Sequence, residues 1–214
     1  MKENAKFILG IKIVLAILYL VGILGFSLDR TYDLFVALTP LNLSLTAVVL
    51  LYFQQQWSVK TALMLTAVAC IGFVTEWIGV NTGWLFGNYT YGPALGLKLR
   101  NTPLLIGINW LLLAYGIFVL FSKINQQWYF PFLGALLMVL FDFIMEPVAT
   151  ALKMWSWESA HIPLKNYLDW YLVSLLIFAL MRAGRVSLKN PLAVWILGTQ
   201  LVFFLALTFT LNLT

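Results

Sequence analysis

The chain has 214 residues, of which 13 are Lys or Arg, 8 are Asp or Glu and 62% belong to the apolar set. Soluble domains carry roughly 25% charged and 45–50% apolar residues, so these few charges cannot cover a water-facing surface, and the chain is expected to be dissolved in lipid. The scattered basic residues form no stripe for nucleic acid, and the single Cys70 excludes a disulfide framework and a thiolate zinc site, reading as a small hydrophobe within an apolar run.

Crossing a hydrocarbon core of about 30 Å takes about 20 mostly apolar residues, and seven windows meet or approach that length. The first, Phe7–Phe26, is too long for the core of a cleaved signal peptide and is followed by no small-residue cleavage site, so it reads as a permanent helix. Ser27-Leu28-Asp29-Arg30 interrupts it, Leu34–Phe53 follows, and Gln54-Gln55-Gln56 closes the second window. The third, Thr61–Val80, carries Glu76 in its last turns. Ala69, Gly72, Glu76, Gly79 and Gly83 recur at helical spacing, which puts this acid on a stripe of small residues that either packs closely on another helix or leaves room for a ligand.

A 22-residue loop, 81–102, comes next, with Trp84, Phe86, Tyr89 and Tyr91 interleaved with Gly83, Gly87, Gly92 and Gly96. Long loops in compact proteins are often lids; the alternative for the rings is an interfacial aromatic belt. The fourth window, Pro103–Ser122, opens with Pro103-Leu104 and carries Asn109-Trp110 soon after, and Asn125-Gln126-Gln127 separates it from the fifth, Phe130–Leu152. There Asp142 and Glu146 stand one turn apart, on the face that also carries Ala135 and Ala149. Two carboxyls so close in low dielectric are not expected to be ionised together, and the retained proton is what general-acid chemistry requires. The loop 153–166, with Trp155 and Trp157, leads to Tyr167–Met181, which holds Asp169 near its start, and Arg182–Asn190 leads to Pro191–Leu211.

Asp29, Asp33, Glu3 and Glu158 read as solvated charges in tails or loops. The other four acids lie at membrane depth, where a carboxylate costs at least about 2.5 kcal/mol and normally marks a site. A purely structural role, pairing with Asn109, Asn166, indole N–H groups or loop lysines, remains the alternative, above all for Asp169, whose place suits a helix N-terminus. Loops 81–102 and 153–166 are two spans apart and must share one membrane face, so the acids can converge beneath them. Pro103 to Trp110 and Pro163 to Trp170 are both seven residues, a spacing consistent with a weak internal repeat. With the N-terminus inside, cytoplasmic segments hold seven basic residues against five outside, a slight preference for that orientation in a cell inner membrane.

Other chemistries find little support. His161 is the sole histidine, no GxGxxG, GxxxxGK[ST] or GxSxG pattern occurs, and an isolated pair of carboxylates is a poor dedicated Mg²⁺ site, so no metal and no cofactor are expected. A protonated carboxyl beside aromatic faces suits a reaction through a carbocation, each ring contributing roughly 0.5–2 kcal/mol.

Thr75-Glu76-Trp77-Ile78-Gly79-Val80-Asn81-Thr82-Gly83, Phe86-Gly87-Asn88-Tyr89-Thr90-Tyr91, Pro103-Leu104 and Asn109-Trp110 resemble the core of the CruF-type carotenoid 1′,2′-hydratases, a family of multi-span membrane proteins. The likeness continues through Asp142, Glu146-Pro147, Trp155, Trp157, Pro163-Leu164, Asn166 and Trp170, and so covers about residues 70–172, leaving spans 7–26, 34–53 and 191–211 with hydrophobicity alone. Glu146 stands where the family pattern has Asp before Pro, which keeps the acid. His161-Ile162 replace Gly and an aliphatic residue in the lid, a change that bears on substrate choice.

The expectation is therefore an all-α, polytopic membrane helix bundle, residues 1–214 forming a single integral membrane domain of about seven transmembrane helices with two aromatic lid loops on one face. The resemblance implies acid-catalysed addition of water to the terminal 1′,2′ double bond of an acyclic carotenoid end, giving a tertiary alcohol. Glu76, Asp142, Glu146 and Asp169 are the catalytic candidates. Trp84, Phe86, Tyr89, Tyr91, Asn109, Trp110, Trp155, Trp157, Asn166 and Trp170 are the candidates for lining the end-group pocket. The partners implied are a lipid-dissolved carotenoid, water and the membrane, with no nucleic acid; association with other carotenoid-biosynthesis enzymes is left open. A membrane cyclase using the same protonation, a proton-coupled transporter and a pigment-binding membrane protein are the competing readings.

Overall fold

The computed structural model describes residues 5–159 and 161–213, so the solvated reading of Glu3 lies outside the described residues. Among those described there are seven helices: α1 (Ala5–Phe26), α2 (Asp29–Tyr52), α3 (Val59–Thr82), α4 (Leu105–Leu120), α5 (Phe130–Ala151), α6 (Leu164–Ala183) and α7 (Ala193–Thr210). All but α4 are long and apolar enough to cross a membrane. The protein is an all-α, multi-pass membrane bundle.

The helix boundaries differ from the sequence windows at several ends. α2 begins at Asp29, so Asp29 and Asp33 stand in its first turns and not in a loop, although both remain exposed. An acid there is favoured by the partial positive charge of the helix N-terminus. Ser58 caps α3 by accepting from the Thr61 amide at 3.1 Å, and Gly83 ends it in the left-handed region at φ 66°, sending its N–H back to the Gly79 carbonyl. α6 starts at Leu164, which puts Asn166 and Lys165 on the helix instead of in the preceding loop. Pro103 belongs to a short strand, leaving α4 only 16 residues, about 24 Å at 1.5 Å per residue.

This short helix occupies the centre. Every residue from Trp110 to Phe118 is buried, with α3, α5, α7 and α2 packed around it. α1 and α2 are peripheral and turn most of their surface outward. Lipid tails are as apolar as leucine, so helix association here rests on close packing and interhelical hydrogen bonds, which favour small residues at the contacts. Gly72 lets α3 approach α4 so closely that a Cβ there would lie 2.5 Å from that of Trp110, and Gly134 of α5 receives the Phe178 ring. The small-residue stripe around Glu76 therefore packs: Gly72 against Trp110, Gly79 against Phe86 and Tyr89.

Both lid loops meet at one end of the bundle. β1 (Tyr89–Tyr91) pairs antiparallel with β4 (Trp155–Trp157), with Tyr89 opposite Trp157 and Tyr91 opposite Trp155. Backbone bonds from Gly92 to Met154 and from Glu158 to Asn88 extend the pairing. A side chain at Gly92 would collide with the Lys153 carbonyl, so this approach of the two loops requires glycine. β2 (Lys98–Leu99) and β3 (Thr102–Pro103) form a second small hairpin in the first loop.

Candidate functional site

Alternation along β1 and β4 points Tyr89, Tyr91 and Trp155 inward and Thr90 and Ser156 outward, because successive strand side chains face opposite sides. Below this two-stranded cover, α3 presents Glu76 and α5 presents Asp142 and Glu146, all buried. Each carboxyl is held by neutral donors. Glu76 Oε2 accepts from the Tyr89 hydroxyl at 2.5 Å and from Tyr91 at 2.7 Å, while Oε1 accepts from the Trp110 indole at 2.9 Å. Glu146 Oε2 accepts from the indoles of Trp155 at 3.0 Å and Trp157 at 2.9 Å. Asp142 Oδ2 accepts from the Asn166 amide at 2.7 Å, and its other oxygen, Oδ1, is buried with no hydrogen-bond partner. The strand aromatics of each loop thus bind the acid of the helix that leads into that loop.

A cavity of about 10 Å³ lies among these groups, walled by the three acids, Phe86, Tyr89, Tyr91, Trp155, Trp157, Asn166 and Trp170, and also by Ile106 and Met145. That volume suits roughly one water molecule. Trp110 reaches the site through its bond to Glu76 and through its ring, which stacks on Trp170 at 4.0 Å and 17°. These are the two tryptophans that follow Pro103 and Pro163 at equal spacing. Burial, and then the adjacent Glu76 carboxylate, push the Tyr89 and Tyr91 hydroxyls well above the usual tyrosine value. Both therefore remain protonated donors to Glu76 at neutral pH.

Three of the expected residues stand elsewhere. Asp169 does not line the cavity: its Oδ2 accepts from the Phe86 backbone N–H at 2.7 Å and from Lys165 Nζ at 2.7 Å, tying the first loop to α6. Trp84 is 80% exposed on the outside of the cover. Asn109 turns to a different, larger cleft. Ile106 and Met145 are wall residues that the sequence did not single out, since an aliphatic side chain in an apolar span carries no signal of its own. Among the described residues, no group of three or more His, Cys, Asp or Glu side chains is placed to hold a metal ion.

The arrangement can hold a proton on a desolvated carboxyl, keep a water beside it and present aromatic faces to an apolar ligand. Comparison with known proteins bears on what that ligand is. The model of the family described as carotenoid biosynthesis protein matches residues 37–214. A bisanhydrobacterioruberin hydratase from Haloarcula japonica is 28% identical over 149 residues, covering 58% of this chain and 47% of the hydratase. The chain thus spans about half the length of that curated relative. No solved structure matches.

Proposed function

The chain belongs to the carotenoid biosynthesis protein family, and from that premise we propose that it is a hydratase adding water across the terminal 1′,2′ double bond of an acyclic carotenoid end. The observation that carries this reading is the partnering of the three buried acids. Among the described residues only neutral donors bond to them, and Asp142 keeps one buried oxygen without any partner. Three carboxylates ionised together in so small and dry a space would be uncompensated charge. Glu76, with three donors, is the best satisfied as an acceptor; the Asp142/Glu146 pair, one turn apart, is the place for a proton.

In this mechanism the O–H of that pair gives its proton to C2′. The alkene electrons form the new C–H bond and leave a tertiary cation at C1′. The lone pair of the cavity water forms the C–O bond, and the proton it releases returns to the carboxylate vacated in the first step, giving a tertiary alcohol with no change of redox state. Tyr89, Trp155, Trp157 and Trp170 line the carboxyl cavity, so a reacting end brought to its wall meets ring faces, which stabilise positive charge by roughly 0.5–2 kcal/mol each. Glu76 contributes a fixed negative field, and its hydrogen bonds hold the cover closed. The hydratase activity named for the Haloarcula relative supports the reaction class. A cell inner membrane, with the N-terminus inside, is the location proposed from the basic residues.

The test is pigment analysis in a host that makes acyclic carotenoids, with wild type and the variants Asp142→Asn, Glu146→Gln and Glu76→Gln. Wild type is expected to yield a product heavier by one water; cyclisation would leave the mass unchanged. Conversion at the wild-type rate by all three variants would sink the acid mechanism.

A further inference from the structure

Next to the carboxyl cavity lies a cleft of about 270 Å³ between α1, α2, α4, α5 and α7. Its lining follows α1 from Leu18 to Phe26 and α2 from Phe35 to Leu45, so it extends for at least about 10 Å along the helices. The lining is dominated by aliphatic and aromatic side chains, with Phe203 set edge-on to Tyr19 and Phe26. Leu41 and Leu45 in its lining are 64% and 43% exposed, so it reaches the outer surface of α2, which faces lipid. Ile106, Met145 and Trp155 line both this cleft and the carboxyl cavity.

These observations constrain where a long isoprenoid can go. The carboxyl cavity has room for about one water and none for a branched alkene end. The reacting end must therefore approach from the side where space exists, across the three shared side chains. Met145, unbranched and flexible, is suited to yield there. A lipid-dissolved chain has no reason to pass through water on its way in. We propose that this cleft is the slot for the polyene chain, entered laterally from the bilayer past α1 and α2, and that Ile106, Met145 and Trp155 form the movable wall through which the terminal double bond meets the carboxyls. The identity of the reacting end rests on the hydratase reading; the binding of the chain does not.

The experiment uses the full chain in lipid nanodiscs with an acyclic C40 polyene, an achiral chromophore that acquires visible circular dichroism only when held in an asymmetric site. Wild type is expected to induce the signal. Leu45→Trp and Leu18→Trp, which fill the slot from α2 and from α1, should weaken apparent affinity at least tenfold. Leu63→Trp, on the outer surface of α3, should leave it unchanged. A photoreactive polyene on the wild-type protein provides a measurement independent of variant folding and should label α1, α2 and α7. Undiminished binding by both slot variants, labelling confined to other helices, or no induced signal because lipid acyl chains alone occupy the cleft would each overturn the slot. Polyene binding in the slot without hydration would retain this proposal and remove the hydratase reading, whereas hydration with an unchanged KM in both slot variants would do the reverse.

Discussion

Replacing Gly72 with alanine adds one methyl group at a close approach of α3 and α4, one turn before Glu76. The new Cβ would lie 2.5 Å from Trp110 Cβ and 2.6 Å from its Cγ, whereas carbon atoms pack at about 3.5–4.0 Å. The helices must therefore separate by about 1 Å, or Trp110 must swing by a similar amount. Trp110 Nε1 now donates to Glu76 Oε1 at 2.9 Å; a displacement of that size carries the pair past the roughly 3.5 Å at which a hydrogen bond ends. Overpacking of a tight contact costs about 1–3 kcal/mol, and a hydrogen bond to a carboxylate contributes about 1.5–3 kcal/mol, so the loss is about 2.5–6 kcal/mol. Denaturant unfolding in detergent micelles measures it, with Gly10→Ala and Gly198→Ala as controls. No neighbour lies within 4 Å of the Cβ at either control site, so each should gain about 0.5–1 kcal/mol from the removal of a helical glycine. A Gly72→Ala protein within about 0.5 kcal/mol of wild type, the range of a neutral surface change, would refute the close contact and with it the argument that packing positions Glu76.

Four further outcomes are expected. Because the folded-state values of Tyr89 and Tyr91 are raised, the stability they contribute is present in full below about pH 10, the unfolded value, and is lost as pH rises beyond it. The unfolding free energy of wild type should fall above that pH more steeply than that of Tyr89→Phe/Tyr91→Phe; parallel profiles would refute the assignment. Asp169→Ala removes the acceptor that holds the Phe86 amide and should destabilise by about 1.5–3 kcal/mol and expose the lid to proteolysis. Lys165→Met, at a side chain 48% exposed, should cost under about 1 kcal/mol, as surface ion pairs do. Trp84→Ala should leave both thermal unfolding and pigment conversion unchanged, since the ring is outside the cover; lost conversion would place it in the site after all.

Much of the candidate site could be read before folding because charge is scarce. Glu76, Asp142 and Glu146 stood out as acids at membrane depth, and the helical period already put Asp142 and Glu146 on one face. The count of intervening spans put both aromatic loops on one side. What could not be read was the direction of individual side chains. Asp169, for which a structural pairing is the stronger alternative on sequence grounds, faces Lys165 and the Phe86 amide, and Trp84 carries the same signal as its aromatic neighbours but turns outward. Loop residues have no period to orient them, and the pairing of β1 with β4, which turns Tyr89, Tyr91 and Trp155 inward, is a contact across more than 60 residues.

Composition, length and local spacing set the solvent, the number and approximate place of the helices, and which four acids need an explanation. Tertiary structure alone decided that three of those acids share a cavity, that α4 is the central helix, and that α1, α2 and α7, which read as nothing but hydrophobic, open a cleft beside the carboxyls. The physical reason is that lipid and protein interior are equally apolar. In water a helix shows its inner face by being apolar there and polar elsewhere; in a bilayer both faces look alike, and which one packs is settled only by how closely the neighbouring helices fit.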